Sequence, residues 1–382
     1  MSRVYLDYAS AAPLHPAARA AIVAALDCVG ADPGRLHHDA RVTRELLEDA
    51  RQRVADAFGA RSSREVIFTS CATEAIHHVC RGVAARAARA ATAGDSATMV
   101  ASAVEHSAVL NAAASCSTVI EVAVDTDAAI DVERFINALT PATILAHVQL
   151  ANHEVGTLQP LDQLVAECRG RGLPVHVDAA AAATHWPIDF TELDVDFLSV
   201  SGAKAAAGAG IGCLLIRRGL RIEPLFRGGA QERGRRAGLE NVLGAVALGA
   251  ATTASVEYIG AGGAEREHHL IERLWSAIRE IPGIQRHGHP DRRAPHILCV
   301  SVEGIEAEPL LIGLDQHGVS AHSGSSCSSE ILEPSPVLAA MGAAADRSLR
   351  FSVGHGSSET EIDLAARALA LTVQRLHALR RA

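Results

Sequence analysis

Short β-branched runs alternate with helix-like segments between residues 64 and 216, and this alternation constrains the fold more than any other feature. Seven runs are typical of strands: EVIFTS, ATMVASAVEH, VIEVAV, ATILAHVQLAN, LPVHVDAA, VDFLSVSG and GCLLIRR. Segments with a helical pattern lie between several of them, including TEAIHHVCRGVAARAARA and LDQLVAECRGRG. The alternation predicts an α/β fold with a mostly parallel sheet covered by helices on both faces.

A second, smaller α/β unit is predicted after about residue 256. It contains the helical segment EREHHLIERLWSAIREI, the strands HILCVSV and LRFSVG, and the helix AEPLLIGLDQHG between those strands. A last helix begins where Ser358 and Glu361 have the spacing of a capping box. We therefore expect a large domain over 14–255 and a small domain formed by 1–13 and 256–382.

Charge and composition exclude several classes of protein. The formal net charge of −9 comes without a basic tract, which argues against direct binding of nucleic acid or of a membrane surface. The N-terminal stretch lacks the apolar core of a signal peptide, and no run approaches the ~18 apolar residues of a membrane span. The 8 cysteines form no CxxC pair and the histidines are dispersed, so we expect reduced thiols, no metal site and a cytoplasmic location.

Lys204 is the only lysine, and the other 34 of the 35 lysine and arginine residues are arginine. A chance outcome of the arginine-rich composition is one explanation. The other is chemical, because a lysine amine forms a Schiff base and a guanidinium cannot. The sequence neighbours of Lys204, SGAKAAAGAG, are small and apolar, which favours a reactive amine over a solvated charge.

Polar residues that end the predicted strands are the candidates for a site, because parallel sheets bind ligands at the carboxyl ends of their strands. Asp178 ends LPVHVD, and Lys204 follows the next strand. An acid and a reactive amine on adjacent strand ends suit pyridoxal 5′-phosphate (PLP), in which a carboxylate keeps the pyridine nitrogen protonated. Taken alone, Asp178 would favour the interpretation of a helix N-cap.

A phosphate group also needs donors. The segment VIFTSCATEAIHH predicts a strand, a tight turn and a helix, whose first N–H groups, near Cys71–Thr73 and thus including Ala72, would face an anion. Ser201 can add a hydroxyl beside Lys204. His106 ends its own strand and could stack on a ring, although a lone histidine there is more often part of a core or a turn.

Two stretches rich in small residues, one of glycine and one of serine, have different interpretations. GAGIG at 208–212 precedes a strand instead of opening a helix, so it predicts a close-packed turn and not a dinucleotide site. Cys327 differs from the other cysteines because it lies in the polar stretch HSGSSCSSEILEPSP. Exposed cysteines in polar surroundings can act as thiolates, so this one is a candidate nucleophile that could carry sulfur as a persulfide.

Together these motifs resemble the cysteine desulfurases of the NifS/IscS type, in the class V aminotransferase family. The similarity extends from VYLDYASAAPLHP through EVIFTSCATEA, VEHSAVL, NHEVGTLQP, HVDAA and SGAK to RGGAQERGRRAGLENV, SGSSCSS and LRFSVG. The resemblance implies a PLP-dependent enzyme of fold type I and a homodimer with active sites near the subunit interface.

The resemblance also implies roles for individual residues. Lys204 would be the Schiff-base lysine, Asp178 the partner of the pyridine nitrogen and His106 the ring that stacks on the cofactor. The remaining contacts would come from Ala72, Thr73 and Ser201 to the phosphate, from Arg350 to the substrate carboxylate, and from His153 to cofactor and substrate. Cys327 would accept the sulfur.

This chain departs from the family pattern at several positions. Family members usually have Gly at Cys71, Asn at His153, Gln at Ala181, His at Ala203, and often Arg at His355. Leu239 stands where a hydroxyl residue usually reaches the phosphate across the dimer. We expect weaker cofactor binding as a result, with His153 offering a partial replacement through an imidazole N–H.

The function that these residues favour is removal of sulfur from L-cysteine, which leaves L-alanine and a persulfide on Cys327. Selenocysteine lyase activity and transamination are alternatives on the same fold, although Cys327 argues against transamination. A non-catalytic sulfur-transfer scaffold with a decayed site is an alternative of another class. Taken together, the departures resemble the desulfurase of bacterial DNA phosphorothioation systems, which implies that the sulfur passes to a partner protein; tRNA thiolation and iron–sulfur cluster assembly stay open.

Overall fold

The computed structural model describes residues 3–90, 97–324 and 334–381. The strands in chain order are β1 Val4–Tyr5, β2 Val66–Thr69, β3 Thr98–Ser102, β4 Thr118–Val122, β5 Thr143–Gln149, β6 Val175–Asp178, β7 Phe197–Ser201, β8 Gly212–Ile216, β9 Ile284–His287, β10 Ile297–Val302, β11 Val319–Ser320 and β12 Ser348–Ser352. The α-helices are α1 Pro16–Ala25, α2 His38–Ala57, α3 Ala72–Ala90, α4 Ser107–Ala114, α5 Val132–Ala138, α6 Leu161–Gly170, α7 Val242–Gly260, α8 Gly263–Ile278, α9 Ala307–Gln316, α10 Pro336–Ala340 and α11 Glu359–Arg381.

The central sheet has seven strands in the order β2-β8-β7-β6-β5-β3-β4. Strand β8 runs antiparallel to its neighbours β2 and β7, and the other pairs are parallel. Two apolar clusters fill the two faces of this sheet, and most strand positions are buried. The seven predicted strands and the mostly parallel α/β architecture are therefore confirmed.

The chain after β8 forms a second core. Strands β12, β10 and β9 make a three-stranded antiparallel sheet, and β1 pairs with β11. Helices α8, α9 and α11 pack against these strands together with Val4 and Leu6 from the N-terminus. The N-terminal segment thus packs with the C-terminal unit. The predicted boundaries at 13/14 and 255/256 stay predictions, and α7 runs through the second of them.

The sequence predicts no apolar run long enough to span a membrane, and helix α7 is an exception to that expectation. Among the described residues it is the one helix that is long and apolar enough to do so by length and composition. It packs against α1 and α2 and contributes Val242, Leu248 and Ala251 to the large core. Its apolar side chains are therefore used in packing within the protein.

Candidate active site

The carboxyl ends of β5, β6 and β7 open into a cavity of about 160 Å³. Gln149, Asp178, Ser201 and Lys204 line it from these strand ends. The remaining lining residues that sequence analysis singled out are Cys71, Ala72, Thr73, His106, His153 and Ala181. A larger cleft of about 750 Å³ lies near the amino ends of the same strands, where ligands of parallel sheets rarely bind. We therefore assign the smaller cavity as the site.

The turn that carries Lys204 is held against the sheet by close packing. A side chain at Gly212 would approach the backbone of Cys71 to 2.7 Å, and one at Gly202 would approach Ile211 to 2.5 Å. Gly208 and Gly210 have φ of +86° and +81°, which other residues rarely adopt. GAGIG is therefore the predicted close-packed turn, and it places Lys204 between the site cavity and a second, smaller cavity.

Asp178 ends β6, and one of its carboxylate oxygens accepts two hydrogen bonds. Its Oδ1 accepts a hydrogen bond from the Ser199 hydroxyl at 3.0 Å and another from the Ala180 N–H at 3.0 Å. No helix begins at Asp178; residues 180–185 form turns instead. The helix-cap interpretation is therefore wrong, and the carboxylate lines the cavity.

Two histidines meet on another wall of the cavity. The rings of His106 and His153 make an edge contact with centroids 5.0 Å apart. His106 caps α4, where its Nδ1 accepts from the Ala108 N–H at 3.0 Å, so its proton lies on Nε2. Burial lowers the pKa of both histidines, and the nearby Lys204 adds to the effect, so both rings are neutral near pH 7.

The start of α3 supplies the expected anion cradle. Ala72 and Thr73 lie in its first turn, whose N–H groups have no partner within the helix. Thr73 is exposed and lines the cavity, and Ser201, at the end of β7, lines it as well. Together with Asp178 and Lys204, this donor set fits PLP: an amine for the aldehyde, a carboxylate for the ring nitrogen and N–H and hydroxyl donors for the phosphate.

Arg350 lies outside this set of lining residues, on β12. Its side chain is 1% exposed and donates to the His153 carbonyl at 2.7 Å, to Asp7 Oδ1 at 3.1 Å and to Ser10 Oγ at 2.6 Å. Its Nε has no hydrogen-bond partner within the described part of the chain. Arg350 is therefore linked to the site by its hydrogen bond to the backbone of His153, and its Nε–H is an unused donor.

Cys327 lies within residues 325–333, outside the described residues. The described residues on both sides of that segment contact Arg350 and Glu154. His322 pairs with Arg350 through backbone hydrogen bonds of 2.6 and 3.2 Å, and Ser335 donates to the buried carboxyl group of Glu154. Burial raises the pKa of Glu154 to about 7.

Sequence analysis missed several residues of the site. Gln149 ends β5 and donates to the Val104 carbonyl at 2.8 Å, whereas Asn152, three residues later, accepts from the N–H groups of Glu154 and Val155 in its own turn. The polar end of ILAHVQ was the available signal for Gln149. Asp7 and Ser10 gave no signal, because their contact with Arg350 joins opposite ends of the chain.

A cluster of His185, Glu267 and His296 lies beside the second cavity, which shares Lys204 with the assigned site. The potential ligand atoms of the three residues lie within 4.8 Å of one another. His185 Nδ1 is 2.8 Å from Glu267 Oε2, and the His185 ring stacks on His296 at 3.6 Å and 9°. Because the two rings are parallel, their in-plane lone pairs do not converge on one point, as metal ligands would. The contacts are therefore those of a ring stack with a hydrogen bond. The expectation of no metal site stays a prediction.

Comparison with known proteins identifies the family. The family model described as aminotransferase class-V matches residues 4–364. A cysteine desulfurase of Nostoc sp. is 35% identical over 387 residues, covering 99% of this chain and 95% of that protein. A cysteine desulfurase IscS of Methanosarcina thermophila is 34% identical and covers 98% of this chain and 92% of that protein.

Solved structures agree with this assignment. A NifS-like protein superposes with a TM-score of 0.89 at 27% identity, covering 98% of this chain and all of that one. A structure titled SspA in complex with cysteine superposes with a TM-score of 0.78 at 25% identity over 92% of this chain. The chain therefore belongs to the class-V aminotransferase family of PLP-dependent, fold-type I enzymes, and within it to the cysteine desulfurases.

Proposed function

We propose that this enzyme removes sulfur from L-cysteine and leaves L-alanine and a persulfide on Cys327. The observation that carries the proposal is that Lys204 and Asp178 line one cavity from the ends of adjacent strands. When bound there, PLP would withdraw electrons from the substrate Cα. Lys204 would attach the cofactor and then move the proton at that carbon, and Asp178 would hold the proton on the ring nitrogen.

The other cavity residues would orient cofactor and substrate. Ala72, Thr73 and Ser201 would hold the phosphate, and His106 would cover the ring. A neutral His153 would offer an N–H to the cofactor's phenolic oxygen. Arg350 would bind the substrate carboxylate, and its unpartnered Nε supports this role.

Cys327 would attack the substrate sulfur as a thiolate. The new S–S bond forms while the C–S bond breaks, and the electron pair of that bond returns to the substrate carbon, which is protonated to give alanine. His322, whose backbone pairs with that of Arg350, precedes Cys327 by five positions, which supports this assignment.

A homodimer would complete the site. Large apolar side chains are exposed at Leu36 (85%), Leu239 (62%) and Phe226 (48%), and such exposure is typical of a surface that another chain covers. Leu239 supplies no hydroxyl across that interface, which is one reason to expect weak phosphate binding.

The sulfur would pass to an acceptor protein in the cytoplasm. The net charge of −9 favours delivery to a protein and not to nucleic acid directly. The seven cysteines among the described residues are all free, as expected in a reducing compartment. A DNA phosphorothioation system is one source of such an acceptor, beside tRNA thiolation and iron–sulfur cluster assembly.

The position of the persulfide tests this function. Cys327→Ser should bind PLP and L-cysteine but form no protein persulfide, which mass spectrometry of alkylated protein detects. Cys71 lines the cavity and is the matched control, so Cys71→Ser should keep the persulfide. If the persulfide is retained in Cys327→Ser and lost in Cys71→Ser, the nucleophile is Cys71, directly before α3, and the proposal is contradicted.

A further inference from the structure

A buried chain of hydrogen-bonding side chains leads from the protein interior to Asp178. Cys80 Sγ is 3.6 Å from His147 Nε2, and His147 Nδ1 is 3.0 Å from His176 Nδ1. His176 Nε2 is 3.2 Å from Ser199 Oγ, which donates to Asp178 Oδ1 at 3.0 Å. The four side chains behind Asp178 are fully buried, so the chain is closed to solvent.

Strand register builds this chain. His147 and His176 are directly paired across β5 and β6, and Asp178 and Ser199 are directly paired across β6 and β7. His176 and Asp178 are two residues apart on β6 and therefore face the same side of the sheet. Cys80 contributes from α3, which packs on that side.

The charge of Asp178 fixes the direction of every hydrogen bond in the chain. An ionised carboxylate only accepts, so Ser199 donates to it and accepts from His176 Nε2–H. His176 is neutral, because burial lowers its pKa well below the ordinary value, and its Nδ1 is then an acceptor. His147 must therefore donate from Nδ1, which leaves its Nε2 to accept the Cys80 S–H.

We propose that His147, His176 and Ser199 are positioning residues that form one directional chain of donors to Asp178. The chain holds the carboxylate in place as a hydrogen-bond acceptor. This inference rests on the proposed role of Asp178 as the partner of the cofactor's ring nitrogen. Its consequence is that residues outside the cavity lining control cofactor binding.

Other buried histidines show that this arrangement is specific. His78 and His296 are also fully buried, yet neither ring has a side-chain hydrogen-bond partner among residues 3–90, 97–324 and 334–381. Every ring nitrogen of His147 and His176 has one. A role in packing alone would not require both nitrogens of both rings to be paired.

The tautomers give the first test, on the purified holoenzyme. Nitrogen-15 NMR of histidine-labelled protein, assigned with His147→Phe and His176→Phe, should show His176 protonated only at Nε2 and His147 only at Nδ1 near pH 7. Either ring in the opposite tautomer, or as imidazolium, would overturn the proposed direction. This readout depends neither on catalysis nor on the role of Asp178.

Cofactor affinity gives the second test. Ser199→Ala and His176→Phe should each weaken PLP binding about tenfold or more, and His176→Gln, which keeps a donor, should restore part of the loss. His78→Phe is the matched control, a buried histidine outside the chain, and it should bind PLP as the parent does. Equal affinity in Ser199→Ala, while Asp178→Asn is strongly impaired, would overturn the chain's control of Asp178. If Asp178→Asn also binds normally, the proposed role of Asp178 fails instead.

Discussion

Arg350 Nη2 lies 3.1 Å from Asp7 Oδ1, a contact that joins the proposed carboxylate-binding residue to the N-terminal segment. The Arg350 side chain is 1% exposed and that of Asp7 is 18% exposed. A buried guanidinium is costly without a carboxylate nearby, so Asp7 both neutralises and orients it.

We predict that Asp7→Asn destabilises the fold by about 1–3 kcal/mol, because it leaves the Arg350 charge less compensated. It should also raise KM for L-cysteine severalfold more than it lowers kcat, since Arg350 would lose its orientation. Thermal unfolding and steady-state kinetics measure both effects. Asp315→Asn is the control, because the pair of Asp315 with Arg3 is exposed and should contribute ~0–1 kcal/mol. Equal effects of the two variants would contradict the role of Asp7.

The departures from the family pattern predict weak cofactor retention. Ala181 lines the cavity but cannot hydrogen-bond through its side chain, and Ala203 lies next to Lys204. Each lost bond to a charged group would cost about 1.5–3 kcal/mol without compensation. Ala181→Gln combined with Ala203→His should therefore retain more PLP during dialysis than the parent, and His153→Ala should retain less. Identical retention in all three proteins would show that the site compensates through other contacts.

The pH dependence of stability should report the burial of Glu105. Burial raises its pKa to about 8, from an ordinary value of 4.5. Between these values the folded protein binds more protons than the unfolded chain, so stability falls as pH rises through this window. Glu105→Gln does not titrate. The free energy of unfolding of this variant minus that of the parent should therefore increase between pH 4.5 and pH 8, by on the order of 2–4 kcal/mol.

Chemical denaturation at several pH values measures this difference. Glu121→Gln is the control, because Glu121 is exposed on β4 and water solvates its charge in both states. A flat difference for Glu105→Gln would mean that the Glu105 carboxyl group is ionised and solvated in the folded protein.

The central sheet and most of the site were predictable because their signals are local. Strands β5, β6 and β7 end in Gln149, Asp178 and Ser201, and the strand-end rule brought Asp178, Ser201 and Lys204 to one cavity. The anion cradle followed from a strand, a turn and a helix that are contiguous in sequence.

Long-range contacts were not predictable in the same way. Strands β1 and β11 have two residues each, too few for any periodic pattern, and they exist because they pair with each other. The contact between Asp7 and Arg350 spans 343 positions, and the pairing of His147 with His176 depends on strand register. Register is set by packing of the whole sheet, which no local pattern records.

The most direct test of the account is whether the cofactor attaches to Lys204. Borohydride reduction of the holoenzyme should fix one PLP per chain on Lys204, the only lysine, as measured by intact-protein and peptide mass spectrometry. Lys204→Arg should keep the fold, by circular dichroism, but gain no cofactor mass and show no absorbance of a covalently bound cofactor. Covalently attached PLP in Lys204→Arg would contradict the account. So would a parent protein in which the reduced cofactor is attached to a residue other than Lys204.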